Sequence, residues 1–158
     1  MDVSDRVSAL RAHAAESAVC ERCGLAATRG QVVYGAGSAD AELMLVGEAP
    51  GFAEEQGGVP FAGQAGALLE RLLASAGLAP ESVYLATVVK CRPPQNRDPR
   101  DDEIAACEPL LFRQISLVRP RVVATLGNFA TKLLSGRPHG ITRVHGVEQP
   151  ATIGGVER

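Results

Sequence analysis

The four cysteines of this 158-residue chain constrain its fold more than any other feature. Cys20 and Cys23 form a Cys-x2-Cys pair, whereas Cys91 and Cys107 lie far along the chain. Two thiolates on one turn with two scattered partners can hold zinc or an iron–sulfur cluster. The third interpretation is that the thiols are unrelated and buried, because a free cysteine is commonly a small core residue. A shared site would tie the N-terminal segment to the middle of the fold.

The length and composition predict one globular domain over residues 1–158. Apolar residues make up 46% of the chain and charged residues 22%, which is ordinary for a globular protein. The first residues include early acids and no long apolar run, unlike a signal peptide, and no run approaches the ~18 apolar residues of a membrane span. We therefore expect a cytoplasmic monomer with reduced thiols and no membrane partner.

The net charge of −2 does not by itself indicate a nucleic-acid-binding protein. The charge is unevenly placed, however. Residues 1–79 carry 5 basic and 10 acidic residues, for −5, whereas residues 80–158 carry 11 and 8, for +3. The second half can therefore present a basic face to phosphate, although a solvated surface of mixed charge explains the same numbers.

Apolar patterns alternate between strand and helix periods along the chain. They predict strands at 42–46, 82–90 and 121–126, helices at 4–17, 63–76 and 128–134, and the start of a hairpin at 140–147. A further helix, with Asp98 as its N-cap, is expected to include Ile104 and Cys107 and to break or kink at Pro109. This alternation predicts an α/β fold with a parallel, doubly wound sheet. Ligands of such sheets bind beyond the carboxyl ends of the strands.

Two glycine-rich loops carry candidate functional side chains. Glu48 follows the strand at 42–46 directly, where a carboxylate can order a water or stabilise a cation. Phe61 lies in the second loop, Pro60-Phe61-Ala62-Gly63, and its ring could stack on a planar ligand. The alternatives are a tight turn with a solvated glutamate and a phenylalanine of the core.

Three segments together resemble the family 4 uracil-DNA glycosylases of the uracil-DNA glycosylase superfamily. They are Gly47-Glu48-Ala49-Pro50-Gly51, Pro60-Phe61-Ala62-Gly63-Gln64-Ala65-Gly66 and Val89-Lys90-Cys91-Arg92-Pro93-Pro94-Gln95-Asn96-Arg97. The cysteine spacing is similar as well, and the resemblance runs from about Val19 to Val147. It implies a three-layer α/β/α fold with a short central parallel sheet.

The resemblance also implies a function, which is removal of uracil from DNA. Such an enzyme flips the nucleotide out of the helix and hydrolyses its N-glycosidic bond, the first step of base excision repair. Phe61 corresponds to the stacking aromatic residue, and Gly47, Glu48 and Ala49 to the segment lining the uracil pocket and water site. We expect Glu48 to orient the water and to stabilise the cationic sugar.

The cofactor and the DNA contacts follow from the same resemblance. Cys20, Cys23, Cys91 and Cys107 correspond to the ligands of a [4Fe–4S] cluster. Four basic residues near Cys91 are expected to meet the phosphates of uracil-containing DNA, although solvated surface charge is the alternative: Lys90, Arg92, Arg97 and Arg100.

The sequence departs from the family pattern in two places. Thr87 occupies the position of an asparagine that, in the family, binds the pyrimidine edge with its side-chain amide. A single hydroxyl offers fewer hydrogen-bonding groups than an amide and so distinguishes uracil less well. No His-Pro dipeptide occurs, although the family carries one on the loop after its last strand. We expect a C-terminally shortened chain that lacks this strand and leaves 121–126 as an open sheet edge. The alternative function is a non-catalytic iron–sulfur or zinc module that binds nucleic acid.

Overall fold

The computed structural model describes residues 1–153 and 156–157 and is built around a four-stranded sheet. The helices are α1 (Val3–Ala18), α2 (Phe52–Gly57), α3 (Gln64–Ser75), α4 (Asp101–Val118), α5 (Asn128–Ser135) and α6 (Ile141–Val144). The strands are β1 (Ala36–Gly37), β2 (Leu43–Gly47), β3 (Val83–Thr87), β4 (Val122–Thr125), β5 (Thr152–Ile153) and β6 (Val156–Glu157). Short 3-10 helices span Gly24–Ala27, Pro80–Ser82 and Pro94–Asn96.

The sheet has the strand order β1-β3-β2-β4, with β1 antiparallel and the other three strands parallel. The strand β2 is central. The next strand in sequence, β3, lies on one side of it, and β4 lies on the other side. A central strand of this kind is a topological switch point, where a crevice opens at the carboxyl ends of the strands.

Side chains alternate across the sheet and build a core on each face. Met44 and Val46 face the larger core, which α1, α4 and α5 cover. Leu43 and Leu45 face the smaller core, which α3 covers through Leu73. Helices therefore lie on both faces, and the predicted three-layer α/β/α fold is confirmed.

The predicted helix start at Asp98 is wrong, and so is a break at Pro109, one of the two outcomes that the sequence predicts there. The helix α4 begins at Asp101 and runs without interruption to Val118, with Pro109 inside it. A proline within a helix loses one hydrogen bond and costs ~3 kcal/mol. Here Leu110, Leu111, Ile115 and Val118 bury one face of the same helix in the larger core, and this burial outweighs the loss.

The hairpin predicted at 140–147 is also wrong, because the chain forms the short helix α6 there. The side chain of Asn128 explains the difference, since its Oδ1 accepts the Ile141 amide at 2.8 Å and so caps the turn. A hairpin does exist further along, where β5 and β6 pair in antiparallel fashion.

The strand β4 lies at the edge of the sheet, as the sequence predicts for 121–126. Within the described residues it pairs with β2 alone, and Val122 is 57% exposed. The residues of β4 line a groove together with residues 144–151. In the part of the chain that the structure describes, no helix is long and apolar enough to cross a membrane.

Candidate active site and cysteine centre

The carboxyl ends of β2, β3 and β4 meet at one edge of the sheet and position the candidate active site. Gly47, the last residue of β2, pairs with Thr87, the last residue of β3. The hydrogen bonding continues past the strands, since the Val88 amide donates to the Gly47 carbonyl at 2.9 Å and the Leu126 amide to Val46 at 2.8 Å. Three loops therefore leave the sheet side by side.

Glu48 reaches from the loop after β2 to the N-terminus of α5. Its Oε2 accepts the backbone N–H of Phe129 at 2.9 Å, where the helix dipole favours a negative charge. Gly127 makes room for this contact, because a β-carbon there would lie 2.5 Å from the Glu48 carboxyl carbon. Among the described contacts the other carboxylate oxygen has no hydrogen-bond partner, so it can serve a ligand or water.

Phe61 is held in a left-handed conformation, with φ of 56°, directly above the end of β2. A β-carbon at Gly47 would come within 2.8 Å of the ring Cζ, so the ring lies against the Gly47 backbone. A β-carbon at Gly66 would overlap the Phe61 carbonyl oxygen. Glycine at both positions is therefore a requirement for this placement of the ring.

Glu54 ties the two glycine-rich loops together, a contact that the sequence analysis missed. One carboxylate oxygen accepts the Gly51 amide at 3.0 Å and the other accepts the Gly63 amide at 3.3 Å. Glu54 is the third residue of α2, a position from which a glutamate commonly reaches back to the N-cap amide. This capping pattern would have indicated the Gly51 contact, whereas the Gly63 contact depends on the tertiary fold.

Thr87 lies beside Gly47, as its predicted role in uracil binding needs, but its hydroxyl already has a partner. The Thr87 side chain is buried and donates to the Val89 carbonyl at 2.7 Å. A hydroxyl has one hydrogen to donate, so only its acceptor capacity remains for a base. Ala49, the remaining member of the predicted pocket, is half-buried and packs against the larger core.

The predicted DNA contact by Lys90 does not fit the structure. The Lys90 side chain is 1% exposed, and its Nζ donates to the Thr87 carbonyl at 2.9 Å. Burial lowers the pKa of Lys90 to about 7, against an ordinary value of 10.5. A phosphate cannot reach a side chain that the fold encloses, so Lys90 has a role in the interior instead.

The three arginines predicted to bind DNA lie on the segment between Cys91 and α4, and two of them make internal contacts. Arg92 lies 3.5 Å from Glu55 and 5.2 Å from the ring centroid of Phe52. Arg97 forms a two-pronged ion pair with Glu103, with distances of 2.9 and 2.6 Å. Arg100 is exposed at the N-cap of α4. These contacts stiffen the segment while leaving parts of each guanidinium near the surface.

All four cysteines line one pocket, although Cys20 and Cys23 lie far from Cys91 and Cys107 in sequence. Cys91 and Cys107 are buried, and none of the four forms a disulfide. Burial raises the pKa of the Cys91 thiol to about 11, with Arg29 acting in the opposite direction. Burial likewise raises the pKa of Cys107, against the effect of Lys90. Buried thiols of this kind ionise when a metal binds them.

This donor set fits an iron–sulfur cluster. In the described residues no group of three or more His, Cys, Asp or Glu side chains is arranged to hold a metal ion. A [4Fe–4S] cluster makes a different demand, because each thiolate binds its own iron and the four surround a larger body. All four thiols line one pocket, and N–H groups donate to the Cys91 and Cys107 sulfurs, so the kind and number of donors suit such a cluster.

A family model for the uracil DNA glycosylase superfamily matches residues 34–155. The chain belongs to this superfamily. The match includes both glycine-rich loops, Cys91 and Cys107, so the superfamily assignment covers the candidate active site and half of the cysteine set.

Several similar proteins are named type-4 uracil-DNA glycosylases. The type-4 uracil-DNA glycosylase of Saccharolobus solfataricus is 49% identical over 116 residues, which are 73% of this chain and 54% of that protein. The type-4 enzyme of Archaeoglobus fulgidus is 47% identical over 73% of this chain and 58% of its own length. That of Thermotoga maritima is 44% identical over 80% and 67%. The chain thus spans between half and two thirds of the length of these relatives.

Proposed function

We propose that this chain carries the uracil-excising site of a type-4-like uracil-DNA glycosylase acting in base excision repair. The observation that carries the proposal is the fixed position of Phe61 against Gly47, with Glu48 beside it at the carboxyl edge of the sheet. The similar proteins support it, since the three described above are named type-4 uracil-DNA glycosylases. Their names give no support to a non-catalytic binding module.

The arrangement suits a base that has left the DNA helix. A uracil inside a duplex is inaccessible, so the nucleotide must rotate out before a pocket can hold it. The Phe61 ring offers a planar apolar face for stacking, and the backbone of Gly47, Glu48 and Ala49 lines the site next to it. Thr87 contributes a hydroxyl oxygen as an acceptor at the same edge.

Hydrolysis breaks the bond between the sugar C1′ and the base N1. Uracil leaves with the bonding electron pair as an anion, and C1′ is left with cationic character. The carboxylate of Glu48, held by Phe129, stabilises this charge and orients a water for addition at C1′. The proton that the water loses passes to the carboxylate or to solvent, and the uracil anion is protonated after departure.

DNA phosphates are contacted by Arg92, Arg97 and Arg100 in this proposal. They lie on one segment that follows β3, on the same edge of the fold as the pocket. Their charge attracts the backbone, while the ion pairs to Glu55 and Glu103 fix two of the side chains before DNA arrives.

Cys20, Cys23, Cys91 and Cys107 would hold a [4Fe–4S] cluster. When bound, the cluster cross-links three separate segments of the chain and so stabilises the fold. In this role the cysteines fix the N-terminal segment and the arginine-bearing segment onto the sheet, and they take no part in the hydrolysis. A cytoplasmic location, in which thiols stay reduced, suits four cysteines without disulfides, and we expect the chain to act as a monomer.

The test is release of uracil from a single-stranded oligonucleotide that contains one uracil, with the thymine oligonucleotide as the control substrate. Glu48→Gln and Phe61→Ala should release uracil at least ~100-fold more slowly than the unchanged chain. Glu70→Gln, on the exposed surface of α3, is the matched control and should not change the rate. Retained DNA binding without any release by the unchanged chain would contradict the proposal and favour the binding module.

A further inference from the structure

Arg29 lies between the two halves of the cysteine set. It lies two residues after the 3-10 helix Gly24–Ala27, and its amide donates to the Leu25 carbonyl at 3.0 Å, which fixes the backbone at this point. The side chain is half-buried and lines the pocket that all four cysteines share.

The guanidinium contacts both halves through one nitrogen. Nη1 donates to the Cys20 carbonyl at 2.6 Å and lies 3.8 Å from the Cys91 sulfur, a distance suited to an N–H···S contact with a large acceptor. Because Nη1 carries two hydrogens, it can make both contacts at once. The Arg29 side chain therefore connects the backbone of Cys20 with the sulfur of Cys91.

Arginine suits this position better than lysine does. Its guanidinium is rigid and planar, stays charged in a half-buried site and directs its N–H groups along fixed lines. Residues in the layer outside metal ligands commonly set the orientation of those ligands, and hydrogen bonds to sulfur tune the reduction potential of iron–sulfur clusters.

We propose that Arg29 is a positioning residue for the cluster. It holds the backbone of Cys20 and the thiolate of Cys91 in fixed relative positions, so that all four cysteines can bind the same cluster. This inference rests on the [4Fe–4S] assignment of the cysteine pocket and not on uracil release. It assigns a role to a residue outside the ligand set and outside the candidate active site.

The experiment compares the unchanged chain with Arg29→Met, Arg29→Lys and Arg22→Met. Arg22 is the matched control, because it lies between Cys20 and Cys23 and lines the same pocket, yet no hydrogen bond from it to a sulfur or to the Cys20 carbonyl is among the described contacts. Three quantities are measured: iron per chain, the rate at which visible absorbance bleaches in excess chelator, and the reduction potential by voltammetry.

We expect Arg29→Met to lose its cluster to chelator at least ~10-fold faster than the unchanged chain. Its reduction potential should move to a more negative value, because the more negative reduced cluster loses a hydrogen bond and a nearby positive charge. Arg29→Lys keeps the positive charge but lacks the planar guanidinium. Its bleaching rate and reduction potential should lie between those of the unchanged chain and of Arg29→Met. Arg22→Met should behave as the unchanged chain.

Equal bleaching rates and potentials for Arg29→Met and the unchanged chain would overturn the proposal, as would equal changes in Arg29→Met and Arg22→Met. If Arg29→Met does not fold, the bleaching rate and reduction potential of Arg29→Lys take its place in the comparison with the unchanged chain. An unchanged chain purified without iron would overturn both the cluster and the role of Arg29. A chain that holds four irons but releases no uracil would contradict the proposed function alone.

Discussion

The ring of Phe61 lies so close to the backbone of Gly47 that a β-carbon at position 47 would come within 2.8 Å of its Cζ. The contact joins two loops that are separated in sequence by the whole of α2. It defines one wall of the candidate uracil pocket, and it depends on the absence of a side chain at one position.

Gly47→Ala should therefore displace the Phe61 ring and slow uracil release by ~10-fold or more, with little change in iron content. A 1 Å shift of a positioning residue commonly costs up to ~100-fold in rate. Gly57→Ala is the matched control, because a β-carbon there meets its nearest atom at an ordinary 3.6 Å. A Gly47→Ala chain with an unchanged rate would show that the ring position does not matter for release.

Glu48 combines a proposed catalytic role with a structural one, and two substitutions separate them. Glu48→Ala removes the acceptor for the Phe129 amide at the start of α5 and should cost ~1 kcal/mol of stability, or a few degrees in melting temperature. Glu48→Gln keeps an acceptor and should melt within about a degree of the unchanged chain. Both should lose uracil release, as measured on the single-stranded substrate. Uracil release by Glu48→Gln at the rate of the unchanged chain would show that the mechanism does not need the charge of Glu48.

The buried hydroxyl of Thr87 gives a prediction about base selectivity. Thr87→Val leaves the Val89 carbonyl without its donor and should destabilise the fold by ~1–3 kcal/mol. It also removes the acceptor oxygen that Thr87 offers to a base, so it should lower the preference for uracil over cytosine. Thr87→Asn supplies an amide edge and should raise that preference. The measurement is the ratio of release rates from uracil- and cytosine-containing oligonucleotides. A lower ratio for Thr87→Asn would contradict the prediction.

The ion pair of Arg97 and Glu103 makes stability depend on acid pH. The Arg97 side chain holds the pKa of Glu103 below its ordinary value of 4.5, with help from the Arg100 amide. Stabilisation by a carboxylate of lowered pKa is complete above its unfolded pKa and is lost as the pH falls through the folded pKa. The melting temperature of Glu103→Gln should thus lie below that of the unchanged chain at pH 7. This difference should begin to shrink as the pH falls below about 4.5 and should disappear as the pH passes through the lowered pKa of Glu103.

The control for this titration is Glu70→Gln, since Glu70 is exposed on α3. Its melting temperature should follow that of the unchanged chain at every pH. A gap for Glu103→Gln that stays constant down to pH 3 would mean that the ion pair does not contribute through the charge of Glu103.

Much of the fold could be predicted because local pattern and tertiary structure agree. The short apolar run of β2, the β-branched and aromatic residues of β3 and the helical stripe of α3 indicate the correct elements. The errors arose where tertiary contacts decide the outcome. Burial of the residues after Pro109 keeps α4 continuous, and the side chain of Asn128, distant in sequence, turns residues 141–144 into a helix.

The site shows the same division. The positions of Glu48 and Phe61 followed from short motifs after a strand, and the structure brings them to one edge of the sheet. Lys90 was misread because a lysine beside two arginines resembles surface charge, whereas its backbone position directs it inward. Glu54 and Arg29 were missed because their partners lie in other loops, which no local pattern reveals.

The left-handed backbone of Phe61 has a consequence for the cost of binding. Because Gly66 and Gly47 fix both the carbonyl and the ring of this residue, its rotational freedom is lost when the chain folds. An incoming base then meets a wall that is already in place, and its binding energy is not spent on ordering that side chain. In the proposed function, the conformational strain of Phe61 is thus stored during folding and preorganises the pocket for each later encounter with DNA.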